Sequence, residues 1–119
     1  MFGLGEAGGL ISKDLVTRGF EVRGYDPAEI DVSGDVQRVN SPAEAVADCD
    51  LVLSLTAAAD ATGALEQAID HIPSHAVYAD CSTASPGLKR RLAEISAGRF
   101  GFADVAIMAP VPGKSWKYQ

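Results

Sequence analysis

The 119-residue sequence is short of positive charge, of cysteine and of long apolar runs, and each shortage removes a class of function. Ten Lys and Arg stand against 16 Asp and Glu, a formal net charge of −6. Nucleic acid and anionic membrane surfaces want clustered cations, so neither is an expected partner. No stretch reaches the roughly 18 consecutive apolar residues of a membrane span. The N-terminus lacks a basic region followed by an apolar one, so no signal peptide is expected. Cys49 and Cys81 are the only cysteines, too few for a disulfide framework, and a cytoplasmic setting is the expectation. No metal site is expected. Apolar material is plentiful: 47% of the residues are hydrophobic, enough for one domain of this length to bury a core.

Apolar periodicity then orders the chain. Ala7, Ile11 and Leu15 recur at four-residue steps and predict a helix ending near Arg18 and Gly19. A strand is expected over 20–25, stopped by Asp26 and Pro27 because proline cannot continue the ladder. A polar loop over 28–35 leads to a short strand in "VQRVN". Ser41, Pro42 and Glu44 form a capping box that starts a short helix through Val46. Strands are predicted over 51–55 and 76–79, with a helix over 61–72 between them. Ser85 and Pro86 open another helix, with Leu88, Leu92 and Ile95 facing inward and Lys89, Arg90, Arg91 and Glu94 facing water. A last strand ends before Pro110. Strands alternating with helices imply a doubly wound parallel sheet of α/β class, with helices on both faces.

In such a sheet, ligands bind outside the carboxyl ends of the strands. That rim collects the glycine turn at the N-terminus, Asp26, Thr56 and Ala57, Cys81, Ser82 and Thr83, and Ala109 to Val111. His71 and His75 precede a strand, fall on the opposite rim and are discounted as catalysts. Cys49 and Cys81 fall on opposite edges and should not bond to each other. Gly3, Gly5 and Gly8 stand in the order G-x-G-x-x-G, the pattern that brings backbone against a dinucleotide pyrophosphate. Taken alone the pattern is equally that of a tight strand-to-helix turn that needs glycine. Its companions are the helix that follows, which offers N–H groups to an anion, and Asp26, spaced to accept from both adenosine ribose hydroxyls. A carboxylate there repels a 2′-phosphate, and Pro27 and Ala28 offer no neighbouring cation, so NAD is favoured over NADP as cofactor. Gly113, Lys114 and Ser115 imitate the end of a P-loop, but Met108 stands where glycine is required.

"GLGEAG", "GYDP", "DLVLSLTA", "DCSTASPG" and "FADVAIMAPVPG" together resemble the N-terminal domain of the β-hydroxyacid dehydrogenases, the family of 6-phosphogluconate dehydrogenase and 3-hydroxyisobutyrate dehydrogenase. The resemblance extends to about Gly113. It implies a Rossmann-type NAD(P)-binding domain over 1–112 and an irregular tail over 113–119. By the same resemblance, Gly3, Gly5, Glu6, Ala7 and Gly8 hold the pyrophosphate and Asp26 the adenosine ribose. Thr56 and Ala57 border the nicotinamide-side ribose, and Ser82, next to Thr83, touches the carboxylate of a small hydroxyacid substrate. Pro112 and Lys114 depart from the family's substrate loop, and Asp104 lies upstream of its usual place. The family's hydride transfer uses a lysine from a helical domain that follows this one and also forms a homodimer; Lys114 is not that lysine. No catalytic residue is therefore expected in these 119 residues, and the chain alone is expected to be inactive. The alternative is a non-catalytic nucleotide-binding or interaction module on the same fold, with an unrelated doubly wound domain such as a methyltransferase as a third.

Only Met1 and Phe2 precede the glycines, so the first strand is expected to be largely missing and the sequence to be incomplete at both ends. In the usual order 3-2-1-4-5-6 that strand is central. Its loss would leave unpaired backbone groups facing a gap, at about 1–3 kcal/mol each.

Overall fold

The computed structural model describes residues 1–28 and 35–106. The predicted loop over 28–35 falls largely outside these residues. So do the approach to Pro110, the loop at Ala109 to Gly113, Lys114 and the tail. The first helix, α1 (Glu6–Thr17), follows the glycine turn directly. Strand β1 (Arg23–Gly24) is shorter than the expected 20–25: Phe20 is 60% exposed, and the ladder begins only at Arg23, whose carbonyl accepts from the Met1 amine. Strand β2 (Gln37–Arg38) pairs with it in parallel. Helix α2 (Pro42–Val46) starts as its capping box requires, with Ser41 Oγ accepting from the Glu44 N–H.

Strand β3 (Leu51–Ser54) leads through a 3₁₀ turn to α3 (Ala61–Ala68). The expected helix over 61–72 tightens into a second 3₁₀ turn at Ile69–His71. Strand β4 (Val77–Asp80), helix α4 (Pro86–Ser96) and strand β5 (Gly101–Asp104) complete the series. Ser85 Oγ caps α4 by accepting from the Leu88 N–H.

All the strand pairs are parallel, β2–β1 on one side and β3–β4–β5 on the other. The first strand is as short as expected, yet its residues pair on both sides. Phe2 bridges to Tyr25 and to Ser54. Tyr25 N–H donates to Met1 O at 2.8 Å and Gly3 N–H to Tyr25 O at 3.1 Å. On the other flank Phe2 N–H donates to Leu53 O and Leu55 N–H to Phe2 O, both at 2.8 Å. A parallel ladder uses alternate residues toward each neighbour, so residues 1–3 suffice to close the expected gap at the carboxyl end of the sheet. The order that results, β2–β1–first strand–β3–β4–β5, is the doubly wound order 3-2-1-4-5-6.

Successive side chains of this short strand enter opposite cores, as strand geometry demands. Met1 packs with Ile11, Val22 and Val36, the layer that includes α1. Phe2, 2% exposed, packs with Val46, Val52, Leu65, Tyr78 and Leu92, the layer that gathers α2, α3 and α4. Met1 also brings its amine inside, where it donates to Arg23 O at 2.7 Å. Burial pulls the pKa of this amine from 8.0 to about 6, with a lesser upward pull from Cys49 and a downward one from Arg23. Protonation therefore opposes folding. Below pH 6 the amine is charged in both states and the burial cost is fully present; above pH 8 it is neutral in both and the cost is gone. The 119-residue chain should gain about 2 kcal/mol of stability on going from pH 6 to pH 8. Urea unfolding midpoints check this, and a flat or falling midpoint across the window contradicts it.

Candidate functional site

Because every strand runs the same way, the segments after β1, β3, β4 and β5 emerge on one rim, together with the glycine turn. The three motif glycines meet different demands there. Gly3 has φ +85°, and a Cβ on it would lie 2.8 Å from Leu55 O. A Cβ on Gly8, inside α1, would fall on the Gly3 carbonyl oxygen. These two are required by the fold itself. Gly5 is different. It is the N-cap of α1 with φ −65°, and a Cβ on it would meet nothing within 4 Å. Nothing inside the described residues calls for glycine at this position, and no side chain caps the helix end it opens. The helix N-terminus, with Glu6 and Ala7 in its first turn, therefore leaves its leading N–H groups for an outside acceptor.

Asp26 fixes this turn. Its Oδ2 accepts from the Leu4 N–H at 2.8 Å and its Oδ1 from the Ala28 N–H at 2.9 Å. The carboxylate thus ties the end of β1 to the glycine turn, and each oxygen keeps a lone pair for a further donor. Gly3, Gly5, Asp26, Thr56 and Ala57 line one cleft of about 360 Å³, closed on its far side by Ala64 and Gln67 of α3. Its volume lies in the range of small-molecule sites, about 300–1,000 Å³. Thr56 Oγ1 is buried and has no partner among the described residues.

Sequence spacing offers no cation near Pro27 and Ala28, but the fold supplies one. Arg38, 12 residues beyond Asp26, donates from Nη2 to Asp26 O at 3.1 Å and to Ala28 O at 2.8 Å.

Ser82 and Thr83 line a second cleft on the same rim, of about 330 Å³, with Cys81, Lys89 and Asp104. The expectation that Lys89 faces water is wrong: the residue is 9% exposed. Its Nζ donates to Asp80 Oδ2 at 2.8 Å, to Asp80 O at 2.9 Å and to Asp104 Oδ1 at 2.7 Å. Asp80 and Asp104 face each other directly across β4 and β5, and only a cation between them makes that pairing tolerable. Burial alone pulls the lysine pKa down, but the bonds to Asp104 and Asp80 overcome it and hold it above its ordinary value. Ser82 Oγ donates to Asp80 Oδ2 at 2.6 Å, so the serine proton is committed to the same carboxylate. Cys81 is buried beside this acid, and burial followed by the Asp80 charge pushes its thiol up to about 11. Lys89 lies in the row Lys89, Leu92, Ser96 that α4 buries, a helical spacing that was visible in the sequence.

The remaining candidates lie where strand polarity puts them. His75 pairs with Asp50 at 3.0 Å on the opposite rim, where both residues precede strands. His71 is exposed at the end of a 3₁₀ turn. Cys49 and Cys81 are both free thiols. No group of His, Cys, Asp or Glu with metal-binding geometry occurs among the described residues, and no described helix is long and apolar enough to cross a membrane.

A doubly wound parallel sheet that carries G-x-G-x-x-G at its central strand and an acid at the end of the next defines a Rossmann-type NAD-binding domain. The chain belongs to the family described as the NAD binding domain of 6-phosphogluconate dehydrogenase, whose model matches residues 1–115. Among solved structures it resembles 3-hydroxyisobutyrate dehydrogenase from Mycobacterium tuberculosis, determined with L-serine. That match has a TM-score of 0.78 at 28% identity, over 86% of this chain and 36% of that one. A conserved hypothetical protein from Sinorhizobium meliloti 1021 matches at 30% identity with a TM-score of 0.78, over 93% of this chain and 41% of that one. An imine reductase variant from Myxococcus stipitatus, in complex with NAD+, shares the fold at 18% identity and TM-score 0.78, over 91% of this chain and 40% of that one. The chain thus spans well under half the length of these solved proteins. No curated protein sequence matches it.

Proposed function

We propose that the cleft beside the glycine turn binds NAD(H), as the cofactor half of a hydroxyacid dehydrogenase resembling 6-phosphogluconate dehydrogenase. The observation that carries this is Gly5, a glycine with nothing to avoid inside the protein, at an uncapped helix end beside a carboxylate. Such a position lacks a side chain so that a ligand's pyrophosphate can approach the backbone. The N–H groups of Glu6, Ala7 and Gly8 receive the phosphate oxygens. Asp26 accepts from the adenosine ribose with its remaining lone pairs, and Thr56 and Ala57 border the second ribose. When bound, the nicotinamide supplies hydride transfer to or from the hydroxyl-bearing carbon of a small hydroxyacid. Ser82 and Thr83 face that substrate from the second cleft. With its proton on Asp80, Ser82 Oγ presents lone pairs and suits a substrate hydroxyl better than a bare carboxylate. The proton-transfer group and the pocket's far wall come from residues outside this chain, in a helical domain that also forms the dimer, and the setting is cytoplasmic.

NADH fluorescence titration tests the reading. The wild-type chain should show saturable binding at or below millimolar cofactor. Gly5→Ala should weaken it at least about tenfold, because a methyl group enters the pyrophosphate's space, while the stability loss read from urea unfolding stays within about 1 kcal/mol, the cost of alanine in place of glycine at an N-cap. Absence of saturable binding in the wild type, or unchanged affinity in Gly5→Ala, overturns it.

A further inference from the structure

Four buried side-chain oxygens have no hydrogen-bond partner among the described residues: Ser54 Oγ, Thr56 Oγ1, Tyr78 OH and Asp80 Oδ1. They are not scattered. All belong to even-numbered positions of β3, its continuation and β4, and so fall on one face of the sheet, the face packed by α2, α3 and α4. Ser54 and Asp80 are direct partners in the ladder, and Tyr78 precedes Asp80 by two residues on the same side. We propose that Ser54, Tyr78 and Asp80 enclose a binding site for an internal water molecule, seated in the core between the two clefts. The inference is independent of what either cleft binds.

Ser54, Tyr78 and Asp80 are each 0% exposed, so bulk solvent does not satisfy them. Buried oxygens left without partners are costly, and native interiors meet that cost with ordered water, which makes about 3 hydrogen bonds to the groups around it. The donor set matches this occupant. Two hydroxyls can each donate or accept, and the carboxylate oxygen can only accept. A small neutral molecule that both donates and accepts serves all three. A cation is not called for, because Lys89 Nζ already lies 2.8 Å from the other oxygen of Asp80.

The aromatic packing directs the phenol toward the same place. The Tyr78 ring lies among Phe2, Phe100 and Phe102, at centroid distances of 6.3, 6.2 and 6.4 Å. Burial pushes the phenol's pKa up, Ser54 pulls it partly back, and Asp80 and Cys81 raise it further. The hydroxyl is therefore turned to the carboxyl end of the strands, near Ser54 but not in hydrogen-bond geometry with it. With its other oxygen Asp80 holds Ser82 and Lys89 of the second cleft, while Thr56, two residues beyond Ser54, lines the first. A water on Asp80 Oδ1 completes the carboxylate's partners and extends the hydrogen-bonded group of the second cleft toward the first.

Magnetic relaxation dispersion of the solvent oxygen tests the site, because it counts waters that stay inside longer than the protein tumbles. Tyr78→Phe and Ser54→Ala should each hold one such water fewer than the wild type, and each should lower the urea midpoint. The loss in the double variant should be smaller than the sum of the two, since both hydroxyls bind the same molecule. The sign of the Tyr78→Phe effect is informative in itself: deleting a hydroxyl that nothing satisfies would raise the midpoint. A raised midpoint in Tyr78→Phe overturns the inference. So does a count of internal waters unchanged in both variants, even with lowered midpoints, because Ser54 and Tyr78 would then be bonding each other directly.

Discussion

Gly8→Ala should abolish NADH binding and destabilise the chain, even though the substitution improves helix propensity. In the interior of α1, alanine is worth about 1 kcal/mol more than glycine. That gain is overridden by sterics, because the new Cβ would fall on the carbonyl oxygen of Gly3. The atom it meets is backbone, held between Leu55 and the Asp26 clamp, and cannot rotate away as a side chain would. Overpacking of this kind costs about 1–3 kcal/mol, and the absence of a flexible partner puts the expected loss at the upper end. Gly9→Ala is the control. Its Cβ would make an ordinary 3.7 Å contact with Leu4 O, so the propensity gain should survive and raise the urea midpoint. Opposite signs at adjacent glycines would locate the effect in the turn. A Gly8→Ala chain as stable as wild type with intact NADH binding would show that α1 does not approach Gly3 as described.

Lys89→Met should cost about 3–5 kcal/mol, the loss expected when one partner of a buried ion pair is removed. Methionine matches the stem's volume but withdraws three donors at once from Asp80 and Asp104. Asp80 is fully buried, its Oδ1 already lacks a partner among the described residues, and its neighbour across the ladder is another carboxylate. The stranded charge, rather than lost packing, is the main source of the loss. Asp80→Asn in the same chain should therefore restore most of it, a coupling that a double-mutant cycle reads directly. Against a total domain stability of about 5–15 kcal/mol, the single variant should have a clearly lower urea midpoint. A loss below about 1 kcal/mol would mean that these three groups behave as a solvated surface pair.

The features legible in the sequence were those with local causes. Ser41 with Pro42, and Ser85 with Pro86, announce their helices because a cap and its N–H partner lie within four residues of each other. The glycine turn and Asp26 carry a fixed spacing because one strand and one helix separate them. Non-local contacts escaped. Lys89 sits beside two arginines and looks like part of a solvated run, yet its partners come from the ends of two strands that only the sheet brings together. Arg38 reaches Asp26 across a strand pair, which distance along the chain does not report. The strand expected from Phe20 failed at its start because alternation marks which residues could pair, whereas the ladder forms only where a neighbour is present. The first strand shows the converse: two residues are too few to display a period, and their place is defined by Tyr25 and Leu53.

That placement has a kinetic consequence. Residues 1–3 occupy the middle of the sheet, and their partners lie near positions 25 and 53–55. During synthesis, which proceeds at about 5–20 residues per second, Phe2 waits in water until β3 has left the ribosome. Only then can the loop between them close, at an entropic cost that local helices do not bear. Residues 1–3 are thus made well before they can be seated, and for that interval the side chain of Phe2 is open to chaperones and to other chains.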